Sequence, residues 1–280
     1  MLAGGKLDFC SFSCSFCWRS FGKDRFKAEA EWDDPKTIID GAIAAQQELL
    51  SGFGGNEKTT KELFGEAMEP AHFAISLDGE PTLYPRIVDL IKEIKNRNCT
   101  AFIVSNGTMP NRLKEMLQRG IEPTNLYVSV YATNPEDYKK ITNSFIFDAF
   151  EKVRQSLELL KDFKEARTVF RITAVKDLNM KDPEGFAELI KFSEADFVEV
   201  KGYSYVGESR ERLAVSNMPS MQDTEDFSKQ LAELTGYTIK TKDLASRLVV
   251  LVKDDETWKW SLEKIKEQDR LFDDASKKKA

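Results

Sequence analysis

A chain of 280 residues, 41% of them hydrophobic, can bury a sizeable core and has the size of one α/β barrel-type domain or two ordinary ones. Its mean hydropathy is −0.44 and no apolar run approaches the ~20 residues needed to cross a bilayer, which excludes a helical membrane protein. A net charge of −6 and a pI near 5.2 argue against a general nucleic-acid coat, though not against a local basic rim. The first nine residues show no signal peptide, and four cysteines, three of them clustered, form no disulfide framework, so a reducing cytoplasm is expected.

The first recognisable feature is Cys10, Cys14 and Cys17, spaced C-x3-C-x2-C. Three thiolates cannot fill the four iron corners of a cubane, so this spacing suits one [4Fe–4S] cluster with an open iron. A zinc knuckle is the competing reading. It would want a fourth Cys or His nearby, whereas the only histidine is His72.

Strand-like and helix-like stretches alternate from there. Asp33-Asp34-Pro35 caps a helix whose apolar positions run from Ile38 to Leu50, and a more polar helical stretch covers Thr59 to Met68. A buried strand from His72 to Leu77 leads into the turn Asp78-Gly79-Glu80-Pro81. Further helices are expected over 85–95, 110–118, 148–163, 183–192 and 222–234. Strands are expected over 100–104, 126–131, 168–173, 197–200 and 247–252. This alternation predicts parallel βα units. Five or six units suit a partial (βα)6 TIM-type barrel through residue 253, followed by a charged tail over 254–280, helical or flexible. A doubly wound sheet is the rival, but no G-x-G-x-x-G opens any helix.

Function in parallel α/β folds gathers at strand C-terminal ends. The polar residues there are Asp78, Glu80, Asn106, Ser129, Arg171, Thr173, Glu199 and Lys201. The turn at Asp78 to Pro81 can offer carbonyls and a carboxylate to an ammonium, or simply cap a helix. Arg171 can fork onto a carboxylate of a ligand or pair with Glu199 on the next strand. His72 and Cys99 read as structural.

The cysteine spacing followed by a strand ending in Leu77-Asp78-Gly79-Glu80-Pro81 resembles the radical S-adenosylmethionine (SAM) superfamily. That resemblance implies SAM on the open iron, with Asp78, Gly79 and Glu80 at its amino group and Phe16 near adenine. Asn106, Ser129 and Arg171 are the further cofactor-binding candidates. Several blocks go beyond the superfamily: Phe16-Cys17-Trp18-Arg19, Ala74 through Pro85, Ser105-Asn106-Gly107-Thr108, Lys201-Gly202-Tyr203, Val206 through Leu213 and Asn217-Met218-Pro219. These are similar to the tRNA 4-demethylwyosine synthases, in the archaeal form without a flavodoxin domain.

The resemblance implies conversion of N1-methylguanosine at position 37 of phenylalanine tRNA into 4-demethylwyosine, with pyruvate as carbon donor, a carbon–carbon lyase activity. Reductive SAM cleavage yields a 5′-deoxyadenosyl radical that takes hydrogen from the N-methyl group. It further implies Lys201 as the catalytic residue facing the pocket. Arg19, Lys23, Arg210 and Arg212 would hold the anticodon loop, with Arg25 and Lys27 adding charge beside the cysteine loop. Partners would be the tRNA and an electron donor such as flavodoxin or ferredoxin, with the protein a cytoplasmic monomer. Two departures stand out. Family members carry three further cysteines upstream for a second cluster, and only nine residues precede Cys10 here. Asp78 also replaces the small residue expected before Gly-Glu-Pro. Two expectations follow: either Met1 is a false or engineered start, or the chain is a relative shortened at the N-terminus. The functional alternatives are a radical SAM protein that acts on another substrate and a non-catalytic tRNA-binding homologue.

Overall fold

The computed structural model describes residues 10–21 and 32–277. Lys23, Arg25 and Lys27 lie outside the described residues.

Helix α1 (Pro35–Leu50) starts where expected. Asp34 accepts the Lys36 N–H at 2.9 Å, and Pro35 occupies the first turn, where its missing N–H costs nothing. The short helix α2 (Lys61–Met68) is capped by Thr60. Strand β1 (His72–Ile75) and β2 (Thr100–Ser105) pair in parallel, as do β3 (Asn125–Val130), β4 (Arg167–Ala174) and β5 (Phe197–Gly202) in turn. Between them run α3 (Ile87–Asn96), α4 (Pro110–Arg119), α5 (Pro135–Thr142), α6 (Ala149–Glu158) and α7 (Pro183–Ser193).

The strand order β1-β2-β3-β4-β5 is consecutive. A doubly wound sheet would instead reverse its order about a switch strand, placing helices on both faces. Consecutive right-handed crossovers put the helices on one convex face. There α3 buries Ile87, Val88, Leu90, Ile91 and Ile94, and this i, i+3, i+4, i+7 stripe contributes about 10 kcal/mol from area alone.

Two features complete the fold beyond the expected βα run, the first correcting it and the second taking the helical form of the expected tail. The 247–252 segment forms β7 (Leu248–Val252), which pairs antiparallel with β5. A sixth partner, β6 (Thr238–Asp243), arrives after α8 (Met221–Thr235) and pairs antiparallel with β7. The sheet therefore closes on a hairpin.

The other feature is α9 (Asp255–Lys277), which at 1.5 Å per residue runs about 34 Å. Lys240 meets Asp255 at 2.7 Å, and Trp258 packs on Val169, Phe197 and Val252. Gln268 then accepts from Arg167 at 3.3 Å, and Phe272 sits edge-on to His72 at 5.2 Å. Because His72, Arg167 and Phe197 begin their strands, α9 crosses the N-terminal end of the concave face. His72 is structural: its Nδ1 also pairs with Thr100 Oγ1 at 2.7 Å. The C-terminal ends carry the polar set.

Candidate functional site

The cysteine loop is held from three sides. The first is α5, an element the sequence reading passes over although Asn134-Pro135-Glu136-Asp137 carries a cap and first-turn signal. The last turn of α5 receives the loop: Ser13 N–H donates to the Thr142 carbonyl at 2.7 Å and Ser15 N–H to the Ile141 carbonyl at 3.0 Å. Asn143 Nδ2 returns a bond to the Ser13 carbonyl at 3.2 Å. These groups are the orphan carbonyls every helix end leaves, so the loop is itself the cap of α5.

The second side is the end of β2. Asn106 Nδ2 donates to Ser11 Oγ at 2.8 Å and lies 3.7 Å from Cys10 Sγ. Its Oδ1 accepts from the Thr108 backbone and hydroxyl at 3.0 and 2.7 Å.

The third side is the segment from Val206 to Leu213. Arg212, expected on the rim, is turned inward. Its Nε donates to the Ser15 carbonyl at 3.1 Å and its Nη2 to the carbonyls of Cys17 and Arg19, with the guanidinium 4.2 Å over the Phe21 ring. Glu208 N–H donates to the Trp18 carbonyl at 2.8 Å. Gly207 (φ 58°) makes this approach feasible, since a Cβ there would stand 2.2 Å from that carbonyl oxygen. Tyr203 anchors the segment through its hydroxyl on Ser209 Oγ at 2.8 Å.

All three loop thiols are free, with Cys14 buried and Cys10 and Cys17 half-buried. Burial, reinforced by the Glu80 charge, pushes the Cys10 thiol up to about 11, and burial drives Cys14 well above the ordinary thiol range. Without a cation Cys10 and Cys14 are therefore thiols. Binding a metal to them would displace protons. Among the described residues no three His, Cys, Asp or Glu side chains converge as they would on one metal ion. A cubane spreads its ligands over separate irons and asks for a wider triangle.

The turn after β1 is strained at Leu77 (φ 81°), while Gly79 (φ 75°) takes the left-handed region without steric cost. Glu80 behind it is 5% exposed and fully engaged. Its Oε1 accepts from the Thr82 N–H (3.1 Å), the Thr82 hydroxyl (2.5 Å) and Ser105 Oγ (2.7 Å), and its Oε2 from the Asn106 N–H at 2.6 Å. Burial still raises its pKa above the ordinary value. The side chain of Glu80 thus ties the ends of β1 and β2 together, and the backbone of the turn is what faces outward. Asp78 pairs with Arg19, so two residues assigned separate roles from sequence form one ion pair.

On the concave wall, Ser129 is buried and pairs with the Tyr131 hydroxyl, while Phe16 packs on the Tyr131 ring at 5.0 Å. Arg171 Nε meets Glu199 Oε1 at 3.2 Å, and its guanidinium lies 5.9 Å from the Tyr127 ring. Lys201 shares the Glu199 face two residues on, half-buried, and is the only lysine in β1–β5. Arg210 is exposed and donates to the Gly207 carbonyl at 3.2 Å. A cleft of about 380 Å³ lies at the opposite end of the sheet, lined by Lys161, Asp196, Lys253 and Trp260, and touches none of these residues.

Residues 6–190 match the radical SAM superfamily and residues 193–253 match the family described as wyosine base formation. A tRNA 4-demethylwyosine synthase of Pyrococcus abyssi is 45% identical over 253 residues, covering 89% of this chain and 73% of its own. The chain belongs to the tRNA 4-demethylwyosine synthase family. Among solved structures, TYW1 with a lysine–pyruvate adduct bound superposes with a TM-score of 0.78 at 31% identity, over 88% of this chain and 76% of that one. An archaeal TYW1 does so at 0.70 and 28%, over 89% and 82%. The wyosine-forming match begins at the end of α7 and contains Lys201, Tyr203, Gly207 and Arg212, so the family-specific part of the chain supplies one of the three sides that hold the cysteine loop. Membership in this family implies SAM and an iron–sulfur cluster as cofactors. No helix among the described residues is long and apolar enough to cross a membrane.

Proposed function

We propose that this chain converts N1-methylguanosine at position 37 of a tRNA into 4-demethylwyosine, with pyruvate as co-substrate. The single observation that carries this reading is the 45% identity to an enzyme of that name along 89% of the chain. Cys10, Cys14 and Cys17 would hold one [4Fe–4S] cluster. The fit rests on three free thiols in a loop braced by α5, Asn106 and Arg212. Cluster and SAM, when bound, supply a carbon radical by reductive cleavage.

The residues of the chain position and shield. Glu80 fixes the turn at Gly79 so that its backbone can receive an ammonium, and Phe16 offers the edge of an apolar wall. Ser129 and Arg171 line the same wall. Lys201 brings the one lysine of the parallel strands to the mouth. TYW1 has been solved with a lysine–pyruvate adduct bound, and Lys201 is proposed as the lysine that meets pyruvate here. Arg210 supplies an exposed cationic group at the rim for RNA phosphates, with Arg19, paired to Asp78, beside it and Lys23 joining from outside the described residues. The exposed rings of Trp18, next to Cys17, and of Phe147, two residues beyond Phe145, whose N–H donates to the Ser11 carbonyl, suit base stacking. Flavodoxin or ferredoxin is the proposed electron donor, and the protein is proposed to act as a cytoplasmic monomer.

The test is a reaction of reconstituted protein with SAM, pyruvate, reductant and tRNA bearing N1-methylguanosine, read by nucleoside mass spectrometry. The tricyclic base is expected. SAM cleavage without it would restrict the reading to a radical SAM protein of another substrate.

A further inference from the structure

Four buried polar side-chain atoms have no hydrogen-bond partner among the described residues: Ser15 Oγ, Arg112 Nε, Tyr138 Oη and Arg247 Nε. Two of the four belong to the cysteine loop and to α5, the helix it caps. Tyr138 is 1% exposed and sits in α5 with its ring against Phe12 at 5.8 Å, Phe150 at 5.5 Å and Tyr131 at 6.1 Å. Ser15 lies between Cys14 and Cys17, and its hydroxyl oxygen is sealed from solvent.

A buried hydroxyl with no acceptor costs roughly 1–3 kcal/mol, and phenylalanine would fill the same space without that cost. Nor can the helix turn to release it. The Ile141 and Thr142 carbonyls are bound to the loop, and Thr142 Oγ1 donates back to the Tyr138 carbonyl at 2.7 Å. The Tyr138 ring packs on Phe12, between Cys10 and Cys14, and the same helix takes the loop's Ser13 and Ser15 N–H groups, so the phenol lies against the cysteine loop; the neighbouring Tyr131 hydroxyl is paired with Ser129. Glu80 already accepts four bonds from other donors. What the surroundings offer, once thiolates form, is sulfur.

We propose that the Tyr138 hydroxyl, seconded by Ser15 Oγ, donates a hydrogen bond to sulfur of the cluster held by Cys10, Cys14 and Cys17, and so raises its reduction potential. Tyr138 is a positioning and tuning residue, not a catalytic one. The inference rests on the proposed cluster site. The physics is that of outer-shell donors to ligand sulfur. A reduced cluster carries one more negative charge, so a fixed donor stabilises it more than the oxidised form. The couple takes up one electron from an external reductant and neither makes nor breaks a bond.

The experiment is a dithionite redox titration of the reconstituted full chain, read by the paramagnetic resonance of the reduced cluster, for wild type, Tyr138→Phe and Ser15→Ala. Tyr138→Phe should leave the iron content unchanged and lower the reduced-to-oxidised ratio about tenfold at fixed potential, or about 59 mV. Ser15→Ala should shift it the same way by less. The cluster-free Tyr138→Phe chain should melt no lower than wild type, since the hydroxyl has no partner there. Equal potentials for wild type and Tyr138→Phe at equal iron content would overturn the inference. So would weaker SAM binding with an unmoved potential, which would give the hydroxyl to SAM. If wild type itself takes up no iron, the cluster site fails, and that outcome is distinct from either.

Discussion

Replacing Arg212 by methionine separates two roles for the same cation. As a free rim charge it would matter only to RNA. As the structure has it, the guanidinium serves three loop carbonyls and one aromatic ring. A net 1.5–3 kcal/mol per charge-assisted bond, roughly halved because Arg212 is only half-buried, gives about 3 kcal/mol for the three. The ring adds about 0.5–1 kcal/mol. That energy orders the residues around Cys17, so losing it should weaken cluster retention about a hundredfold. Global stability should change little, because the loop lies outside the sheet. The assay is iron per chain after reconstitution and its loss rate to a chelator, with SAM cleavage measured without RNA. Methionine keeps the stem, so packing is largely preserved. Iron retention and RNA-free SAM cleavage equal to wild type, with only tRNA affinity reduced, would refute the clamp.

Gly207→Ala should reproduce that phenotype, because its Cβ would drive Glu208 off the Trp18 carbonyl; normal iron retention would contradict the close approach. Glu80→Ala strands four donors, two of them hydroxyls free to reorient, and should cost about 3–5 kcal/mol in urea unfolding. A loss under 1 kcal/mol would show that the carboxylate does not tie the two strands. On the α3 face, Arg86 holds the Asp34 carboxyl below its ordinary value of 3.8, and Arg119, with Arg86, does the same for Asp89. Depressed folded values mean this stability is complete above the ordinary value and is lost as pH falls through the folded ones. Arg86→Met should therefore flatten the acid limb of a Tm–pH profile. Reductive trapping with pyruvate and peptide mass mapping should label Lys201, and a label elsewhere would move the proposed role to that lysine.

The five parallel strands were legible because each is a run of four to eight residues rich in β-branched and aromatic side chains and set between helical stretches. The direction of β7 was not. Nothing in Leu248-Val249-Val250-Leu251-Val252 encodes parallel or antiparallel, and the preceding partner β6 reads as Thr-Ile-Lys-Thr-Lys-Asp, a charged edge strand. In the site, the three cysteines stood out by spacing alone. The occupation of Glu80 did not, since Ser105 and Asn106 lie 25 and 26 residues away in sequence. Arg212 reaches carbonyls 193 to 197 residues back, and only the fold brings them together. Tyr138 was missed with its short helix, though Asn134 and Pro135 announced it.

The family match ends at residue 253, yet that is no place to cut the chain. Trp258 covers Val169, Phe197 and Val252, and Phe272 shields His72 at the far edge, so α9 serves as the floor of the half-barrel. A protein ending at Lys253 would bare that apolar floor to water and to its own copies, and would be expected to self-associate before any question of catalysis arose. The smallest unit to express and reconstitute therefore runs through α9, some twenty residues past the boundary that similarity alone would draw.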